Sequence, residues 1–232
     1  MNVAIIPARG GSKRILGKNI KPFMGKPIIT YSIAAAIDSG LFDRVIVSTD
    51  SEEIAEVARK AGAEVPFMRP AELSDDKTVL APVVLHALTW LKDQGFNPKY
   101  ACCILSTAPF IRVVDLKQGY ELLSEKKVGS VVSITSFAFP IFRSFKVAAD
   151  GYLEMFWPEH ELTLSNDLPE AYHDAGQFYW LDCERFYKDT RMYAKDALPV
   201  VLPRYLVQDI DTPEDWETAE FMYQAVMASH SS

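Results

Sequence analysis

Cysteine is scarce in this 232-residue chain: there are three, Cys102, Cys103 and Cys183, two of them adjacent and none at metal-ligand spacing. That pattern argues against a disulfide framework or a zinc site and points to a reducing cytoplasm. No apolar run approaches the ~20 residues that a membrane span needs. The N-terminus enters Val3-Ala4-Ile5-Ile6 without a charged leader, so neither secretion nor membrane insertion is expected. An excess of positive charge is missing too: 24 Lys+Arg stand against 31 Asp+Glu, a formal net charge of −7. A general nucleic-acid binder needs a dense basic surface to neutralise phosphates, so that class is excluded. Any anionic ligand must meet a local cluster of cations. Internal repeats, low-complexity tracts and interdomain linkers are also lacking. What remains is 49% hydrophobic residues and enough length for one domain, residues 1–232, with a layered core around a sheet.

Short β-branched runs alternate with longer helical periods, the pattern of an α/β domain with a mostly parallel sheet flanked by helices. The strands are expected at Val3–Ile6, Val45–Ser48, Cys102–Leu105, Val131–Ile134, Phe178–Leu181 and Pro199–Leu202. Helices are expected at Ile28–Asp38, Glu52–Ala61, Val79–Lys92, Val113–Ser124 and Pro213–Met227. Residues 137–176, rich in Phe, Trp and Pro, have no useful helical period and read as a β-rich arm. Ala228–Ser232 are expected to fray.

The first strand empties into Pro7-Ala8-Arg9-Gly10-Gly11-Ser12-Lys13-Arg14, followed by Gly17-Lys18-Asn19 and Lys21. Five cations within thirteen residues are a local exception in an acidic chain. Paired glycines let backbone amides approach an anion, and Arg and Lys add charge-assisted bonds to phosphate oxygens. In an open α/β sheet, ligands bind at this end of a strand. Neither the G-x-x-x-x-G-K-[ST] loop nor G-x-G-x-x-G is present, so ATP hydrolysis and dinucleotide binding lack their fingerprints. The turn reads either as a polyphosphate cradle or as a solvated chain reversal, and the preceding buried strand favours the cradle.

Near the C-terminus, Gln208-Asp209-Ile210-Asp211-Thr212-Pro213 sets two carboxylates two residues apart, on one face of an extended segment. Such a pair suits Mg2+, which takes one or two carboxylates plus phosphate oxygens and water. The alternative is a helix cap at Asp211 or Thr212 beside a surface charge. Asp50 is a weaker metal candidate, with a helix cap the more natural role. The loop from Arg69 to Thr78 mixes donors and acceptors as a cytosine reader must, although an exposed loop with a cap at Ser74 or Asp76 has the same composition. The stretch Asp167–Trp180 gathers hydrogen-bonding groups and aromatics, a mixture that suits a polyhydroxylated sugar.

The ordered string Ile6-Pro7-Ala8-Arg9-Gly10-Gly11-Ser12-Lys13, then Gly17-Lys18-Asn19, resembles the opening signature of the acylneuraminate cytidylyltransferases. Those enzymes activate sialic-type sugar acids with CTP. The string Tyr172-His173-Asp174-Ala175-Gly176-Gln177-Phe178-Tyr179-Trp180, together with Phe139–Lys146, is similar to the pseudaminic acid branch. The resemblance implies a Rossmann-like nucleotide-diphospho-sugar transferase fold, with the arm serving a homodimer. It also implies CMP transfer from CTP to a nine-carbon 2-keto sugar acid, with pyrophosphate released. By that resemblance Ala8, Arg9, Gly10, Gly11, Ser12, Lys13, Asn19 and Lys21 face the triphosphate. Arg69, Asp76 and Thr78 face the base or ribose, Asp209 and Asp211 hold Mg2+, and Arg9 and Lys13 act with them in catalysis. The sugar acid falls to Thr107, Arg143, Lys146, Tyr172, His173, Asp174, Gln177 and Phe178. Family members commonly carry Arg and Gln where this chain has Leu164 and Asn166. Arg143 or Lys146 then becomes the substitute partner for the sugar carboxylate, or the accepted sugar differs. Neuraminate, legionaminate and Kdo are the alternative acids, and a non-catalytic nucleotide-binding protein is the alternative class. No residue stands out as general base.

Overall fold

Alternation along β1 (Asn2–Pro7) decides the architecture. Val3 and Ile5 point into one apolar cluster while Ala4 and Ile6 point into another, so both faces of the strand are buried. A computed structural model, which describes residues 1–230, shows what covers them. After β1 come a two-residue hairpin, β2 (Pro22–Phe23) and β3 (Lys26–Pro27), then α1 (Ile29–Ser39), β4 (Arg44–Ser48), α2 (Glu52–Lys60), α3 (Leu80–Asp93), β5 (Tyr100–Ile104) and α4 (Val113–Lys126). The second half contains β6 (Ser130–Ser136), β7 (Phe145–Val147), β8 (Leu153–Met155), β9 (Tyr172–Asp182), α5 (Cys183–Lys188), β10 (Leu198–Val201) and α6 (Pro213–His230).

Six strands form one sheet in the order β10-β6-β9-β5-β1-β4. β9 runs antiparallel between β5 and β6, and the other five strands share a direction. Ile29 and Ile33 of α1, Ile54 of α2 and Leu116 of α4 cover one face; Val84 and Leu88 of α3 and Phe186 of α5 cover the other. The layered α/β expectation therefore holds. Cys102 and Cys103, neighbours on β5, point to opposite faces as free buried thiols. Burial pushes both thiols up in pKa, as it does Cys183, which reaches about 12.

The expected caps hold at α6 and shift elsewhere. Ser51, not Asp50, caps α2, accepting from the Ile54 amide at 3.4 Å, and Glu52 and Glu53 sit at the positive end of that helix. At α6, Thr212 and Asp215 form a reciprocal capping box: the Asp215 carboxylate accepts from the Thr212 amide at 2.7 Å, and the Asp215 amide donates to the Thr212 hydroxyl at 3.2 Å. The cap suggested at Ser74 or Asp76 is absent from α3, whose N-terminus has no side-chain cap. Asp75 instead ties the loop, accepting from the Lys77 and Thr78 amides.

The arm contains the small β7–β8 hairpin, but its last residues belong elsewhere: β9 begins at Tyr172, within the main sheet. Two steps along β6, from Val132 to Ile134, correspond to five along β9, from Tyr179 back to Asp174. This bulge contains Gly176 at φ +62, a left-handed conformation that glycine adopts without penalty. α6 continues through His230, so Ala228–His230 are helical rather than frayed, and the final two residues lie outside those described. Both sheet edges are modified. β10 carries Pro199, and the outer side of β4 meets Glu64 and Met68 through isolated bridges.

Gly119 on α4 lets the helix lie on the buried indole of Trp180, where a β-carbon would come within 2.7 Å of the ring. Gly119→Val should lower stability by about 2 kcal/mol or more through overpacking, read as a shift in the urea midpoint; an unshifted midpoint would contradict this packing.

Candidate functional site

The carboxyl ends of β1 and β5 open onto a cleft of 210 Å³. Pro7, at the end of β1, leads into the basic turn, and Arg9, Ser12, Lys13 and Asn19 line the cleft, with Thr107 across from them after β5. The turn is held from below. The Ala8 amide donates to the Ser48 carbonyl at 2.9 Å, and the buried Ala8 packs beneath the turn rather than facing a ligand. The Gly10 amide donates to Asp50 Oδ1 at 2.8 Å. A side chain at Gly10 would come within 3.0 Å of Ser51 Cβ, whereas Gly11 has open space around it. Asn19 Nδ2 donates to the Arg9 carbonyl at 2.8 Å, and its Oδ1 accepts from the Ser106 hydroxyl at 2.8 Å. Asn19 thus braces the turn against the end of β5.

Of the acidic pair at the far end of the sequence, Asp211 meets this turn and lines the cleft; Asp209 does not line it. Arg14 pairs with Asp211 Oδ2 at 2.9 Å; Lys18 pairs with Asp211 Oδ1 at 3.2 Å and donates to the Ile210 carbonyl at 2.6 Å. Ile210 is buried in a small cluster with Ile15, Phe23, Ile28 and Trp216, which turns Asp209 and Asp211 outward on either side of it. The Asp209 carboxyl lies above the usual carboxylate range, chiefly through desolvation and then through the charge of Asp211; Lys18 opposes the shift, and Asp215 and Asp174 add to it. Hard carboxylate donors without His or Cys suit magnesium. Among the described residues, no three acidic, His or Cys side chains form a ready-made metal cage. A two-carboxylate site that leaves positions for phosphate oxygens is compatible with both observations.

The loop 69–78 closes the other side. Asp76, expected near the base, pairs instead with Arg9 at 2.5 Å and with Lys13. Those two cations hold its carboxyl below the usual range. Arg69 is buried, and its Nε and Nη2 have no hydrogen-bond partner among the described residues. Burial lowers its pKa, Asp50 opposes that shift, and Arg9 reinforces it.

A second cleft, of 360 Å³, shares Thr78, Val79 and Leu80 with the first. Its wall carries Asp174, whose Oδ2 accepts hydrogen bonds from the Tyr179 and Tyr193 hydroxyls and whose Oδ1 accepts from the Gly176 amide at 2.8 Å. Met192 completes the wall. Met192 and Tyr193 carry no local sequence signal, because they sit in an irregular link between α5 and β10. Arg14 and Lys18, which the sequence shows only as members of the charge cluster and its motif, are the cations that meet Asp211.

Several expected contacts lie elsewhere. Lys21 sits over the Trp216 ring at 4.3 Å and does not line the cleft. Phe178 is fully buried in the core because it occupies an inward position of β9. Gln177 is also buried, its Nε2 donating to the Leu206 carbonyl at 2.6 Å. Lys146 pairs with Glu154 across the β7–β8 hairpin at 2.8 Å, and Arg143 reaches the Glu161 carbonyl at 3.4 Å. Both belong to the arm and line neither cleft. Tyr172 is exposed and bonds Glu170, and the His173 ring packs on Phe137 at 4.8 Å.

Residues 3–192 match the family described as Cytidylyltransferase. The chain belongs to that family. It is 43% identical over 96% of both chains to a protein of Campylobacter jejuni named pseudaminic acid cytidylyltransferase. It is 30% identical, over 94% of both chains, to a CMP-N,N'-diacetyllegionaminic acid synthase of Legionella pneumophila. Among solved structures, CMP:2-keto-3-deoxy-manno-octonic acid synthetase complexed with CTP superposes with a TM-score of 0.68, covering 99% of each chain at 16% identity. At that identity the likeness establishes the fold, and it agrees with the expected nucleotidyltransferase architecture. No helix among the described residues is long and apolar enough to cross a membrane.

Proposed function

We propose that this cytidylyltransferase joins CTP to pseudaminic acid, a nine-carbon 2-keto sugar acid, giving the CMP-sugar and pyrophosphate. The carrying observation is the pairing of Arg14 and Lys18 with Asp211, which brings the basic turn and one member of the acidic pair to one cleft; Asp209 is not among the lining residues. The choice of acid is supported by the relatives of Campylobacter jejuni and Helicobacter pylori whose names include pseudaminic acid cytidylyltransferase, at 43% and 32% identity. In-line attack of the anomeric hydroxyl on the α-phosphorus brings two anions together, so the protein must orient them and offset their repulsion. Arg9 and Lys13 exchange Asp76 for phosphate oxygens. Asp209 and Asp211 would hold magnesium, which supplies charge neutralisation at the departing pyrophosphate. Arg14, released from Asp211, stays within reach of the same phosphates.

The second cleft offers the sugar an apolar wall of Val79, Leu80 and Met192 and a polar floor of Asp174 and Tyr193. The Asp174 carboxylate repels an acid group, so the sugar carboxylate must lie away from it. Arg143 and Lys146 remain its candidate partners, but they sit on the arm, outside both clefts of their own chain. The arm also exposes apolar side chains, including Leu162 at 92%, Tyr152 at 74% and Val147 at 70%. A homodimer that covers this surface and carries the arm of one copy to the cleft of the other accounts for both features. Buried free thiols agree with a cytoplasmic setting.

Pseudaminate, neuraminate, legionaminate and Kdo, supplied side by side with CTP and Mg2+, should release pyrophosphate fastest with pseudaminate. Asp211→Ala should abolish turnover with an unchanged circular dichroism spectrum. A preference for neuraminate overturns the choice of sugar, and near-normal turnover in the variant removes the metal assignment. In sedimentation, Val147→Glu combined with Leu153→Glu should convert dimer to monomer; a monomeric unsubstituted chain would refute the dimer.

A further inference from the structure

Asp50 neither caps α2 nor acts among the acids that shift Asp209. Its environment gives it another task. Oδ1 accepts the Gly10 amide at 2.8 Å, and the turn presses so closely on this corner that a β-carbon at Gly10 would lie 3.0 Å from Ser51 Cβ. The same oxygen lies 3.8 Å from Arg69 Nη2. That separation is too long for a hydrogen bond but short enough to offset the charge. The Arg69 side chain is only 4% exposed. Its backbone amide donates to the Thr49 carbonyl at 2.7 Å, so the segment is anchored beside the end of β4. A buried guanidinium needs a counter-charge, and its donors need acceptors. Asp50 supplies the first without consuming the second: Arg69 Nε and Nη2 stay buried and unmatched, in a residue that lines the cleft. Arg9 faces the same guanidinium with like charge, which makes the acid more necessary.

We infer that Asp50 is a positioning residue for the nucleotide: one carboxylate oxygen fixes the glycine turn and balances Arg69, so that the Arg69 donors are held for acceptor oxygens of CTP. This rests on the reading of the cleft as the CTP site. Asp50 touches neither substrate; it acts through Gly10 and Arg69.

The test compares CTP binding by calorimetry and steady-state kinetics for the full chain, Asp50→Ala and Asp50→Asn. Asp50→Ala should weaken CTP binding and raise the KM for CTP by about tenfold or more, with kcat at saturating CTP and the KM for the sugar acid within about twofold. Asp50→Asn keeps the acceptor for Gly10 but loses the charge, so it should fall between the two. A purely structural role would instead lower the thermal midpoint and kcat together, and that result overturns the inference. So does equal CTP affinity in Asp50→Ala and the unsubstituted chain. Should Asp50→Ala fail to fold, Asp50→Asn decides: unaltered CTP affinity in that variant removes the role. If the unsubstituted chain itself does not bind CTP, the reading of the cleft falls, and the inference with it.

Discussion

Like charges crowd into the turn after β1, and their repulsion is the constraint around which the rest is arranged. Arg9, Lys13, Arg14, Lys18 and Lys21 lie within thirteen residues of an otherwise acidic chain. Each finds its compensation in a distant segment. Asp76 reaches Arg9 and Lys13 from the loop before α3, and Asp211 reaches Arg14 and Lys18 from the link to α6. Lys21 lies on the indole face of Trp216. Exposed ion pairs contribute little to stability, and these partly exposed contacts are suited to exchange for a more highly charged anion.

The apolar part of the fold delivers those acids. The cluster of Ile15, Phe23, Ile28, Ile210 and Trp216 packs the first turn and the last link into one small core, separate from the two sheet faces. Burial of Ile210 orients the aspartates on either side of it. The bulge in β9 does the same for the second cleft: by absorbing extra residues opposite β6, it brings Asp174 to the cleft wall while Phe178 and Trp180 stay in the core. Packing thus positions charges that would not otherwise approach one another.

Much of this was legible in the residue pattern, for physical reasons. Buried parallel strands are short and apolar, so β1, β4, β5 and β6 stand out, and α2 announces itself through Glu52-Glu53 and Arg59-Lys60 at its two ends. The basic turn and the Asp-x-Asp pair were visible as local chemistry. What was not legible is long-range. Nothing near Asp76 says that it pairs with Lys13, and nothing near Tyr193 says that it meets Asp174. The strand period does not show that β9 begins as early as Tyr172, because the bulge around Gly176 interrupts its pairing with β6. Asp50 and Ser51 are both good caps; only the position of Gly10 decides which one is free to serve the helix.

The two margins of the sheet have a further consequence. Pro199 removes a ladder donor from β10, and the segment carrying Glu64 and Met68 already occupies the outer side of β4. A protein that displays large apolar side chains on a projecting hairpin runs the risk of stacking strand upon strand into fibres. With both rims blunted, strand-by-strand growth from the main sheet is disfavoured, and the apolar hairpin can stay exposed without turning that sheet into a seed for aggregates.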